Sequence, residues 1–140
     1  MYRVSHFYRE NKGAAAVEFP LIAPLFFLLL LTLVAFAIYL TAAHSLQQLT
    51  ADAARTAIAG LSADERSQLV QSFVTNSTIN DAFIDKTKLT VTVATDPTNA
   101  NQFTVSASYD ASALPIWNLY TFAMPNPTIR RYSTIRMGGL

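Results

Sequence analysis

From Phe19 to Ala43 the chain runs for 25 residues without a charge. Leu25–Leu31, Leu-Phe-Phe-Leu-Leu-Leu-Leu, is its densest part. As a helix this stretch would be about 37 Å long, more than the roughly 30 Å hydrocarbon core of a bilayer. A core helix of a small domain keeps a polar face toward water, and this stretch has none. It therefore predicts a membrane-spanning helix. Arg3, Arg9 and Lys12 precede it, and only Arg55 follows nearby. That asymmetry puts the N-terminus in the cytoplasm and the remainder across the membrane.

The apolar excess is local. Of 140 residues, 51% are hydrophobic and 14% charged, against about 25% charged in ordinary globular domains. Such a composition excludes disorder for the bulk of the chain. A net charge of +1 supplies no basic field for nucleic acid. There is no cysteine, so disulfides, thiolate metal sites and cysteine nucleophiles are excluded.

Two prolines, Pro20 and Pro24, fall near the cytoplasmic end of the apolar run. Each removes a backbone donor. They predict a helix break: either local unwinding or bending over 17–24, or a straight helix that begins after Pro24 with that residue at N1. Glu18 stands at the edge of the run, where a carboxylate is costly unless solvated or paired.

The residues around Glu18 read Lys12-Gly13-Ala14-Ala15-Ala16-Val17-Glu18-Phe19. This basic leader, glycine, small residues, acid and aromatic resembles the class III signal of TadE-like minor pilins, or pseudopilins, of the tight adherence (Tad/Flp) type IVb pilus systems. Gly13 through Phe19 carries the match, Pro24 falls at the expected Leu-Pro step, and Pro20 departs from the usual alanine. Ala53-Ala54-Arg55 matches a later family step.

The resemblance implies cleavage by a prepilin peptidase between Gly13 and Ala14. It also implies that Glu18, fifth in the mature chain and followed by Phe19, pairs with the N-terminal amine of a neighbouring subunit. Amine and carboxylate are each expensive to bury alone and tolerable together. Removing residues 1–13 would take the charge from +1 to −1, because three cations and one anion leave. The implied localisation is the bacterial inner membrane, single pass, with a periplasmic C-terminal domain, and the pilus after assembly. The implied partners are the prepilin peptidase, major and other minor pilins, the inner-membrane assembly platform and the lipid bilayer. A rival processing site, Ala35-Phe36-Ala37, fits the A-x-A pattern of signal peptidase.

Beyond the membrane, Leu46, Leu49, Ala53, Ala57 and Leu61 recur at near-helical spacing, with Gly60 as the terminating C′ residue. Ser62-Ala63-Asp64-Glu65 has the capping-box pattern of a second helix with Leu69, Val70, Phe73 and Val74 as its stripe. Asn76-Ser77-Thr78 ends it, and Ile79–Ile84 adds a short helical turn. Leu89, Val91 and Val93, then Phe103, Val105, Ala107 and Tyr109, alternate with small polar residues across a Pro/Asn loop, which predicts a hairpin. A third strand is expected at Thr128–Met137. The fold class is thus α+β: a long N-terminal transmembrane and stem helix, a short second helix and a small antiparallel sheet of about three strands. The expected divisions are a leader at 1–13, a transmembrane helix at 14–43, a stem at 44–60 and an extracytoplasmic domain at 61–140.

The apolar, proline-punctuated segment 113–127 contains Trp117, Tyr120 and Phe122. It reads either as an interaction patch for a pilin or the membrane interface, or as a loop folded over the core. No pattern for catalysis, a metal or a cofactor stands out. His44 and Ser45 are adjacent in a helix and point apart. Asp81 and Asp85 lack a calcium-loop pattern, and the remaining acids read as caps or turn residues. The expectation is a non-enzymatic minor pilin supporting pilus biogenesis, adhesion and biofilm formation. The alternative is a membrane-tethered extracytoplasmic binding module that never enters a filament.

Overall fold

The structure, a computed structural model, describes residues 12–78, 84–115, 117–119 and 121–138, with side chains on the first helix from Glu18 onward. Helix α1 (Lys12–Ala57) and helix α2 (Ala63–Asn76) precede strands β1 (Leu89–Thr95), β2 (Gln102–Asp110) and β3 (Thr128–Arg136). The strands form one antiparallel sheet in the order β1-β2-β3. The α+β expectation therefore holds.

Helix α1 is one rod with two kinds of surface. Its C-terminal half buries Ala42, Ala43, Leu46, Leu49, Thr50, Ala53, Ala54 and Ala57, a repeat of three and four residues that makes one continuous stripe. The alanines let the backbone approach the sheet closely, and α1 packs on β3 and β2 while α2 covers β1. Thr50 satisfies its buried hydroxyl by donating to the Leu46 carbonyl at 2.6 Å. The N-terminal half exposes its apolar side chains all round, from Phe19 through Val34.

Two details of α1 differ from expectation. The chain is already helical at Lys12 and stays helical through Pro20 and Pro24, so neither local unwinding over 17–24 nor a helix start after Pro24 occurs. A proline deletes only one donor, and the remaining bonds of the turn carry the helix past it. Gly60 is not a left-handed cap; among the described glycines only Gly138 has positive φ. Instead α1 ends in tight turns, with the amides of Ile58, Ala59 and Gly60 donating three residues back. Leu61, expected on the buried stripe, lies beyond this corner and is 90% exposed.

Helix α2 starts as its sequence dictates. The Ser62 hydroxyl accepts from the Glu65 amide, and the Glu65 carboxylate accepts from the Ser62 amide. Val70 is buried, with Phe73 and Val74 packed beside it. Of the short turn expected at 79–84, residues 79–83 lie outside the described residues; Ile84 is buried.

The sheet presents one apolar and one polar face. Register places Leu89, Tyr109 and Ile129 in one row and Phe103 and Ile135 in another, all toward the helices. Phe103, Tyr109, Ile129 and Leu46 are among the largest fully buried side chains, each contributing about 1.5–3 kcal/mol by leaving water. Thr90, Thr92, Ser106, Arg130 and Tyr132 share the opposite face.

Asx turns frame the strands. The Oδ1 atoms of Asp85, Asp96 and Asp110 accept from the amides of Thr87, Thr98 and Ser112, and those of Asn99 and Asn126 accept from Asn101 and Thr128. At both open edges one outward carbonyl is occupied. Gln71 Nε2 donates to Val91 O on β1, and the Arg131 guanidinium donates to Arg130 O on β3. Such blocking makes an edge a poorer template for a further strand.

Candidate functional site

The feature with the clearest functional content is the naked half of α1. Among the described residues it is the one helix long and apolar enough to cross a membrane. Large apolar side chains such as Leu21, Leu25 and Phe27 stand out on it, with 60% or more of their surface exposed. A core helix would have these covered, and bare apolar side chains of this kind suit lipid or another apolar partner. Glu18 and Phe19 are exposed at its N-terminal part, and Gly13 and Ala14 lie in its first turns.

The folded domain begins lower on this helix than the sequence predicts. Ala35 is already buried, and Ile38 and Tyr39 pack against the core. Tyr39 meets the segment after β2. A short turn at Ala111–Ala113 and another at Trp117–Leu119 bring Leu114 and Trp117 inward. The Trp117 ring lies 5.6 Å from that of Tyr39, tilted by 35°. The structure thus separates two aromatic residues of the expected patch, Trp117 and Phe122. Trp117 is buried, Phe122 is 82% exposed, and Tyr120 lies outside the described residues.

The domain itself offers shallow surface features. An open groove of about 460 Å³ at the α1–α2 corner is lined by Gly60, Leu61, Glu65, Gln68 and Leu69. Another of about 340 Å³ on the polar sheet face is lined by Thr90, Thr92, Ser106, Arg130 and Tyr132. His44 is exposed on α1. Among the described residues no cluster of three His, Cys, Asp or Glu is placed to hold a metal.

Among the described residues, three carboxylates with clear pKa shifts are turn residues. Hydrogen bonds from the Thr87, Thr98 and Ser112 side chains, and then from their amides, hold Asp85, Asp96 and Asp110 below the ordinary value of 3.8. These are the signatures of structural turns and not of acid–base chemistry.

Residues 13–55 match the family model described as TadE-like protein. The similarity lies in the N-terminal helix. The match begins at Gly13 and extends through the naked half into the buried stripe, ending at Arg55. It agrees with the resemblance carried by Gly13 to Phe19. The TadE-like segment covers less than half of the chain, and the sheet lies outside it. No curated protein and no solved structure matches.

Sequence reasoning missed Tyr39, Ala35 and Arg66. Tyr39 and Ala35 sit inside the apolar run, where nothing in the local pattern separates a lipid-facing position from one facing the domain. Arg66 follows Asp64 and Glu65 and reads as part of a solvated first turn, yet it is buried.

Proposed function

We propose that this protein is a minor pilin, or pseudopilin, of a Tad/Flp pilus system. Helix α1 inserts into the bacterial inner membrane with its N-terminus in the cytoplasm, and the α+β domain lies in the periplasm. A prepilin peptidase cuts after Gly13, leaving Ala14 as the first residue. Glu18 then pairs with the terminal amine of an adjacent subunit, with Phe19 beside it. Through that pairing the helix joins major and other minor pilins at the assembly platform, supporting pilus biogenesis, adhesion and biofilm formation.

One observation carries this reading: the TadE-like match spans a helix whose apolar surface is bare at one end and locked to a folded domain at the other. Such a helix needs an apolar environment, and the same surface serves in lipid first and against other pilin helices afterwards. The charge at Glu18 has a use only in the second setting.

Replacing Glu18 by Gln or Ala tests the pairing. Both variants insert normally and lose pili; normal piliation would reject the pairing. The polar sheet face with Arg130 and Tyr132 favours a second reading, a tethered binding module that stays out of filaments. Probing purified pili for this chain separates the two.

A further inference from the structure

The folded domain ends on α1 at a sharp level. Ala35 is buried and Tyr39 is stacked on Trp117, whereas Leu33 and Val34 are exposed, as are Leu25–Leu31 before them. Trp117 supplies the rim at this level, and the stretch from Ala111 to Pro127 contains no charged residue. Leu114 and Trp117 anchor it on one side, and Met124 packs against the same core on the other. Between these anchors Thr121, Phe122 and Ala123 face outward. Arg130, exposed on β3, is the first charge beyond the loop.

Lengths decide what meets this rim. From Ala14 to Ala43 the helix would measure about 45 Å, far beyond a hydrocarbon core of about 30 Å. From Ala14 to Val34 it measures about 31 Å, which fits. With that shorter span in the bilayer, the Ala35–Tyr39 turn and the loop stacked on it fall in the headgroup region. Tryptophan, tyrosine and their apolar neighbours are stable there, one side in lipid and the other in water.

We propose that the rim made by Trp117 and Met124, with Phe122 at its exposed tip, is a second membrane contact that seats the domain on the outer leaflet of the lipid bilayer. This rests on the reading of α1 as a membrane helix and adds a contact outside the TadE-like segment. The seating fixes how far α1 protrudes. Extraction of the subunit into a filament then has to release the rim as well as the helix.

The full-length chain in phosphatidylcholine–phosphatidylglycerol vesicles tests this. Trp117 is the only tryptophan. A variant carrying Trp117→Phe and Phe122→Trp moves the sole fluorophore to the exposed tip. Lipids brominated near the headgroup end of the acyl chain are expected to quench it about two-fold, and lipids brominated at the bilayer centre much less. The unaltered protein, reporting from Trp117, follows the same order. Emission unchanged by either lipid would overturn the proposal, as would shielding of residue 122 that appears only on raising protein concentration, which signals contact with a second copy. Alkaline extraction runs alongside. A chain that washes off the vesicles defeats the membrane helix itself, whereas one that stays but is not quenched defeats only the rim.

Discussion

The guanidinium of Arg66 lies over the ring of Phe103, 5.1 Å from its centroid. Its Nε donates to the Gly60 carbonyl at 3.1 Å. One side chain thereby ties the α1–α2 corner to the edge of the sheet core, and it is buried while doing so. A cation over an aromatic face contributes about 0.5–2 kcal/mol, and a charged hydrogen bond about 1.5–3 kcal/mol. Arg66→Ala is expected to destabilise the domain by about 2 kcal/mol, lowering Tm by roughly 10 °C in thermal unfolding of the full chain in detergent. Arg66→Lys keeps part of the ring contact and falls between.

Gly60 faces the same residue from the other side. A Cβ there would lie 2.7 Å from the Arg66 amide nitrogen, 2.8 Å from its Cγ and 3.0 Å from its Cα. Gly60→Ala should therefore cost about 1–3 kcal/mol by forcing the corner open. Adding Arg66→Ala relieves only the Cγ contact, because the other two are backbone. The double variant is expected to be less stable than either single one.

Acid should loosen the strand ends. Asp85, Asp96 and Asp110 have folded-state pKa values held below 3.8 by their turn hydrogen bonds. A depressed carboxylate contributes stability above its unfolded pKa and loses it as pH falls through the folded value. Tm should thus be insensitive to these groups near neutrality and fall below about pH 4. Asp96→Ala should lower Tm at pH 7 and shrink the acid-dependent drop.

The Tyr39–Trp117 stack joins the apolar helix to the loop after β2. Trp117→Ala empties a buried site and is expected to cost about 3–5 kcal/mol. A double-mutant cycle with Tyr39→Ala should return a coupling of about 0.5–1.5 kcal/mol, the share owed to the rings meeting. Zero coupling would mean that the two rings are neighbours without being partners.

The elements were legible wherever local chemistry sets them. The Ser62–Glu65 capping box, the alternation in β1 and β2 and the alanine-rich stripe of α1 each encode their own geometry. The long apolar run was legible as a helix long and apolar enough to cross a membrane, but the level at which the folded domain meets it was not. Residues 35–43 are apolar whether they meet lipid or the sheet, and only the tertiary packing of Trp117 and Leu114 tells them apart. Gly60 was read as a conformational need and is a spatial one, set by a residue six positions away. Pro20 and Pro24 were read as unwinding the helix or delaying its start because each deletes a donor, yet the chain is helical on both sides of each. Among the described residues the buried Arg66 had no local signal, since its ring partner lies on β2.

The account turns on what becomes of Gly13. Intact mass and N-terminal sequence of the protein isolated from membranes of a host with an active prepilin peptidase measure it directly. The account predicts a chain that begins at Ala14 and retains Glu18 as its fifth residue. A chain that keeps residues 1–13, or one that begins after Ala37, would contradict it.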